Sequence, residues 1–441
     1  MQINETIDMV QHEAAWAHRY EPSFTRSDGI STAYSPAVQA QISPNGSGGT
    51  GEMPGYYVIH NVAVAQSYTG WLDECRSIGQ TCYVGDWSWL NKWRLSGPDA
   101  IRCLEASTIN GYKKFPVGKG RHIISVTPDG KMIGDGIAFR EGEDQFLLTG
   151  GIMVAPGAMI RSEGFDVQLE ELTAKLFNYH IQGPNSGKVM AAVCGEDVSD
   201  LEFIHFRDVT VCGQPCVIYR GGMSGELGYE LFGPAAYGSV IWKAIVDAGQ
   251  EHGIRQLGMR SLMLNHLQAF FPTIWIDFVP SVVPGAEAMH RFPSDFGWGG
   301  LVDKTRDFPG KDAIMAEVAN PTHKTMMLEW NNDDVRAIYD SLFDAENEPF
   351  QQLLLPTNTA EPGEPAFPAL PVLDSEGNFC GLATNHGYSY QFRRCISITW
   401  LDSRVAEVGK ELFVVWGAEG ARQMMIRATV AEAPYKKDAR K

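Results

Sequence analysis

Apolar and polar residues alternate along this chain in two different rhythms. Glu5 to Arg19 has helical spacing and runs into Ser43 to Gly51, a Gly/Ser stretch too polar to pack. Tyr57 to Ala65 is continuously apolar. Trp93 to Ile101 reads as a strand, a Gly-Pro turn and a helix start, with Asp99 in its first turn. Arg121 to Thr127 and Lys131 to Arg140 read as strands joined by Pro128-Asp129-Gly130, a hairpin signal, and Gln145 to Thr149 follows as a third strand. Gly164 to Leu176 reads as a helix. Asn178 to Ser186 then repeats the strand, Gly-Pro, helix order, which predicts two similar halves. Phe203 to Cys212 and Cys216 to Arg220 read as strands. Tyr237 to His252 reads as a helix with Val240, Ile241, Ala244, Ile245 and Ala248 on one face.

Past Leu301 the rhythm changes. Pro356 to Pro371 is proline-rich, which excludes helix interior and central strand. Short alternating segments surround it: Thr325 to Glu329, Cys380 to Thr384, Ile396 to Trp400, Glu411 to Trp416 and Met424 to Val430. They predict a small β-barrel or jelly roll. The expected organisation is an N-terminal helix and loop over residues 1–55, α+β units over 56–175 and 176–320, and the barrel over 321–441.

Composition narrows the function. The chain has 441 residues, 44% of them hydrophobic, and a net charge of −17. An acidic surface disfavours nucleic acid and anionic lipid as partners. No apolar run approaches the ~18 residues of a membrane span, and the first ten residues lack a secretory pattern. Eight cysteines are scattered without a CxxC pair, so no metal site is expected; they read as buried thiols in a reducing cytoplasm. Gly183 to Lys188 superficially matches a phosphate loop but is one residue short and lacks the following Ser or Thr. Trp87, Trp89 and Trp93 either wall a flat-ligand pocket or pack in the core.

Three segments then carry a resemblance. Gly222 to Phe232 (GMSGELGYELF), Leu301 to Ile314 (LVDKTRDFPGKDAI) and Ile398 to Leu412 (ITWLDSRVAEVGKEL) follow the order and spacing of motifs of glycine-cleavage T-protein, over residues ~56–435. The resemblance implies the three-domain α+β aminomethyltransferase fold, its C-terminal barrel completing a central channel for tetrahydrofolate, and one-carbon transfer with that cofactor. Two departures redirect it. The family's acidic "RLE" stretch gives way here to Asn265-His266, although Arg260 survives, and Arg427 to Tyr435 resembles the ending of tetrahydrofolate-dependent O-demethylases of vanillate and syringate. The expected substrate is a methoxylated aromatic acid, with another methyl donor (a sulfonium or a methylamine), glycine cleavage and non-catalytic folate binding as alternatives.

The candidate residues follow from that chemistry. A phenoxide leaving group calls for a proton donor, with His60 and Tyr229 as candidates. The resemblance gives Asp135 the place of the catalytic aspartate beside the folate nitrogens. It gives the pterin to Glu230 or Glu226, and alternation along the strand favours Glu230. Arg260 is a further cofactor candidate. Arg121, with His122, would clamp a carboxylate, and His266 would shape the substrate end. Each also has a plain reading: His60 and Tyr229 as core residues, Asp135 capping its own hairpin, His266 as helix packing.

Overall fold

The computed structural model describes residues 24–25, 31–42, 56–59, 62–151, 160–356 and 368–440. The helix expected over Glu5 to Arg19, and His60, lie outside them. The α-helices are α1 (Pro36–Ile42), α2 (Trp71–Gln80), α3 (Ala100–Ser107), α4 (Ser186–Cys194), α5 (Gly238–Gly249), α6 (Met259–Gln268), α7 (Lys311–Ala319) and α8 (Asn332–Asp340).

The continuous apolar run at Tyr57 resolves into a hairpin. Strands β1 (Phe24–Thr25), β2 (Ser31–Tyr34), β3 (Tyr56–Ile59) and β4 (Val62–Ala65) form one sheet, with Ile59 paired to Val62. Strands β5 (Cys82–Asp86), β6 (Lys92–Ser96), β7 (Gly120–Val126), β8 (Met132–Gly142), β9 (Gln145–Thr149) and β10 (Gln168–Glu171) come next, then β11 (Leu176–Gln182), β12 (Phe206–Val211), β13 (Gln214–Arg220), β14 (Gly228–Pro234) and β15 (Ile254–Leu257).

Two sheets share one plan. The first has the order β10-β6-β9-β8-β7 and the second β12-β13-β14-β11-β5-β15. Without the flanking strands β10, β5 and β15, each reads first, fourth, third, second in chain order. Each opens with a strand, a Gly-Pro corner and a helix, which is the repeat visible in the sequence. The corners need glycine. At Gly97 φ is +129° and a Cβ would lie 2.5 Å from the Asp166 carbonyl oxygen; at Gly183 φ is +119° and a Cβ would lie 2.7 Å from the Cys82 Cα. The halves also interlock, because β5 precedes the first repeat yet pairs with β11 and β15 of the second sheet.

Gly164 to Leu176 is not a helix. It contains a turn and β10, whose Leu169 pairs with Leu95. Phe165, Val167 and Leu169 repeat every second residue and pack against the core of the first sheet, so the period is that of a strand.

Each sheet buries one face under helices. α3 covers Leu95, Ile123, Ala138 and Leu148 of the first; α4 and α5 cover Tyr179, Ile181, Tyr229 and Leu231 of the second. The opposite faces meet. Phe139 of the first sheet packs on Tyr219 and Phe232 of the second, with ring centroids 4.8 and 5.5 Å apart. Such edge-to-face pairs contribute ~0.5–1.5 kcal/mol each beyond area burial. The tail forms a closed barrel of β16 (His323–Trp330), β17 (Leu370–Leu373), β18 (Phe379–Ser389), β19 (Arg394–Asp402), β20 (Glu411–Trp416) and β21 (Met424–Ala431), as the alternation predicted. Leu264 and Leu267 of α6 pack on its Met327, Ile396 and Ile398, fixing the barrel against the two sheets.

Candidate active site

Alternation on β8 directs Asp135, Ile137 and Phe139 to the face between the sheets. His122 on β7 lies directly across from Ile137 and therefore diagonal to Asp135. Its Nε2 is 2.7 Å from Asp135 Oδ2, and Trp298 meets the imidazole edge-on at 4.7 Å. The neighbouring Arg121 must then point to the other face. Its Nη2 donates to the Lys114 carbonyl at 2.6 Å and its guanidinium covers Phe115 at 4.6 Å. Arg121 is therefore not part of this cluster, contrary to its expected role as a carboxylate clamp.

The same rule sorts Tyr229 from Glu230. Glu230 of β14 faces the inter-sheet space, paired in register with His180 of β11. His180 Nε2 lies 3.3 Å from Glu230 Oε2, and Trp87 stacks on the imidazole at 4.1 Å. Tyr229 points the opposite way into the core beneath α4, 1% exposed, and burial raises its phenol pKa. Tyr229, expected as a proton donor, thus lies on the face away from Glu230. Glu226 is also committed elsewhere: Lys436 Nζ sits 2.6 Å from its Oε1, with the lysine buried and the carboxylate partly buried. Arg260, in the first turn of α6, donates to the Leu355 carbonyl on the barrel side.

His266 joins the two poles. Its Nδ1 is 2.7 Å from Thr273 Oγ1 and its Nε2 faces the Met223 sulfur. Trp87 lies 6.3 Å from it, nearly parallel. Next to Thr273, Ile274 abuts Gly151, where a Cβ would lie 2.9 Å from Ile274 and 3.3 Å from the Asp135 carbonyl oxygen. A continuous wall results: Asp135, Gly151, Ile274, Thr273, His266, Trp87, His180, Glu230. Burial, with the charge of His180 nearby, lowers the His266 pKa to about 3, so its ring is neutral and offers a lone pair. Behind it, Asp277 accepts from the Thr273 amide at 2.7 Å and from the Thr384 hydroxyl at 2.5 Å, which ties the wall to the barrel. Burial pushes the Asp277 carboxyl up to about 6.

Comparison with known proteins identifies this architecture. The model of the GCVT N-terminal domain matches residues 38–292, more than half of the chain. The chain belongs to the GCVT aminomethyltransferase family. Sesamin methylene transferase of Sinomonas sp. (strain No.22) is 32% identical over 414 residues, covering 84% of this chain and 90% of that protein. Syringate O-demethylase of Sphingobium sp. (strain NBRC 103272 / SYK-6) is 26% identical over 433 residues, covering 86% and 91%. The fold matches glycine cleavage system aminomethyltransferase T from Bartonella henselae with a TM-score of 0.69 at 18% identity, over 88% of this chain and 95% of that one. This GCVT protein is a methyl- or aminomethyl-transferring enzyme, and tetrahydrofolate is its cofactor.

The residues present fit a folate. Glu230 is a buried carboxylate, and the Nε2 of His180 is out of line for a hydrogen bond to it, so both have unused capacity. Asn178 Oδ1, on the same face of β11, is buried without a partner. Buried polar atoms in that state cost ~1–3 kcal/mol each, and a flat heterocycle with an N–H edge would satisfy them. Trp87 and His180 supply an aromatic wall. His180 and Trp298 were not singled out as candidates from the sequence of this GCVT enzyme. His180 stands in the quoted repeat Asn178 to Ser186, but only the register of β11 against β14 puts it beside Glu230. Among the described residues, no group of three or more His, Cys, Asp or Glu is arranged to hold a metal, and no helix is long and apolar enough to cross a membrane.

Proposed function

We propose that this enzyme removes a one-carbon unit from a methoxylated aromatic ring and passes it to N5 of tetrahydrofolate. The products are a phenol and 5-methyltetrahydrofolate. The observation that carries the reading is the Asp135–His122 pair, 2.7 Å apart on the inter-sheet face of the first sheet, while Glu230 lies on the inter-sheet face of the second. Tetrahydrofolate, when bound, supplies the secondary amine that accepts the carbon.

The chain's own groups have three tasks. Glu230 holds the N–H edge of the ring, and Trp87 with His180 fixes its plane. Asp135 takes up the amine proton as the N–C bond forms. His122, bonded to Asp135, holds the proton that the leaving phenoxide needs as its C–O bond breaks, a transfer that contributes ~10²–10⁴-fold. Phe139, Tyr219 and Phe232 pack together in the adjoining part of the layer between the sheets.

A second reading has support from one relative. The 32% identical protein is named for methylene transfer and the 26% identical one for O-demethylation. A methylenedioxy ring would deliver a methylene rather than a methyl group to the same amine. Anaerobic turnover with tetrahydrofolate and a panel of vanillate, syringate, 3-O-methylgallate, a methylenedioxybenzene, dimethylsulfoniopropionate and sarcosine tests both readings. Mass spectrometry of the folate separates methyl from methylene. A phenolic product formed only with folate supports the proposal; transfer only from the sulfonium or the methylamine overturns it.

A further inference from the structure

We infer that the aromatic substrate of this site is uncharged, because the described side chains lining it are carboxylates, imidazoles and apolar or aromatic groups, while the cations around it are bonded to other partners. The inference rests on the one-carbon reading and names its substrate class.

Charge addition across the wall makes the point. The Asp135–His122 pair sums to −1 with a neutral imidazole and to zero with an imidazolium. Glu230 with His180 behaves the same way. His266 stays neutral at working pH. Met223, Ile274, Trp87 and Trp298 add no charge. With both carboxylates ionised, neither pair carries a net positive charge. A substrate carboxylate beside these residues would meet two acidic groups and no free cation among the described side chains.

The neighbouring cations are engaged. Arg121 lies on the opposite face of its sheet, bonded to the Lys114 carbonyl. Lys92 Nζ donates to the Ser88 and Leu90 carbonyls at 2.8 and 2.7 Å. Lys436 pairs with Glu226, and Arg260 with the Leu355 carbonyl. Arg291, fully buried, donates to the Ala288 and His290 carbonyls and lies 4.1 Å over Trp400, with its charge opposed by Asp277 and Asp295.

Matched pairs that differ only in a carboxylate test the inference: guaiacol against vanillate, and 1,3-benzodioxole against its 5-carboxylate. The full-length protein with tetrahydrofolate is assayed for turnover by mass spectrometry and for ring binding by tryptophan fluorescence. The neutral member of each pair is expected to be favoured by at least about tenfold in both readouts. Arg121→Ala is expected to leave that ratio unchanged, and His122→Arg, which loses the proton holder and is read by ring binding alone, to shift it toward the acid. Equal or better handling of the acid, binding of neither ring, or a ratio that moves in Arg121→Ala overturns the inference. Preferential binding of the neutral ring without any one-carbon folate upholds it and refutes the one-carbon reading instead.

Discussion

His180 and Glu230 are direct cross-strand partners on β11 and β14, and the imidazole Nε2 stands 3.3 Å from the carboxylate. With Trp87 stacked on its other side, His180 cannot turn away from Glu230. Alternation on β14 aims the carboxylate toward the first sheet, whose β8 directs Asp135 to its own inter-sheet face.

Glu230 and Asp135 are expected to fail differently. Glu230→Gln removes a charged acceptor and should weaken tetrahydrofolate binding by about 10–100-fold, the equivalent of a hydrogen bond to a charged group. Asp135→Asn keeps the shape of the reacting end and should lower kcat by ~10²–10⁴-fold, with folate affinity within a few-fold of the parent. Fluorescence titration and steady-state kinetics measure the two effects separately. A matching loss of affinity in both variants would contradict the division of roles.

Tyr229→Phe is expected to leave kcat/KM nearly unchanged, because its phenol points beneath α4 and away from Glu230. Arg121→Ala should behave alike in turnover and cost modest stability through its lost carbonyl bond and ring contact. A tenfold fall in activity with a normal melting temperature, in either variant, would mean that the strand faces are assigned wrongly.

Buried Lys436 pairs with partly buried Glu226, and burial lowers the lysine pKa although the carboxylate opposes the shift. Removing one partner strands the other charge. Glu226→Gln or Lys436→Met alone should cost ~3–5 kcal/mol, and the double variant should recover much of that loss. Denaturant unfolding of the four proteins gives the coupling, and additive losses would rule the pair out as a stabilising unit.

His266 makes stability depend on pH. Its folded pKa, about 3, lies below the ordinary histidine value. As pH falls below about 6.5, the unfolded chain binds a proton that the folded ring does not take up. Stability is therefore lost progressively from about pH 6.5 down to about 3. His266→Gln should remove this contribution, so the stability difference between parent and variant should change with pH over that range and be flat above about 7. A difference that is constant from pH 4 to 8 would refute it.

Much of this was legible along the chain. The closed barrel follows from short alternating strands. The duplicated plan follows from two Gly-Pro corners, at Gly97 and Gly183, where the backbone leaves no room for a side chain. Glu230 and Asp135 are recognisable candidates from the family motifs, His266 from the departure at Asn265-His266, and His122 as the neighbour of Arg121 on a strand. The helix expected over Gly164 to Leu176 failed because Phe165, Val167 and Leu169 carry a strand period that a longer window obscures. Arg121 and Tyr229 lie apart from the cluster for one shared reason. Each sits next to a true inter-sheet residue, and adjacent strand residues face opposite ways.

What the sequence determined by itself is local: which segments are strands, where glycine corners must fall, and which two residues of each adjacent pair oppose one another. What only the tertiary structure decided is which face of each strand meets the other sheet. It also decided which distant residue completes each pair: His180 with Glu230, Lys436 with Glu226, Trp298 with His122. Alternation and turn geometry act between neighbours along the chain. Register and face-to-face packing depend on groups tens to hundreds of residues apart, and those meet only when the two sheets and the barrel close together.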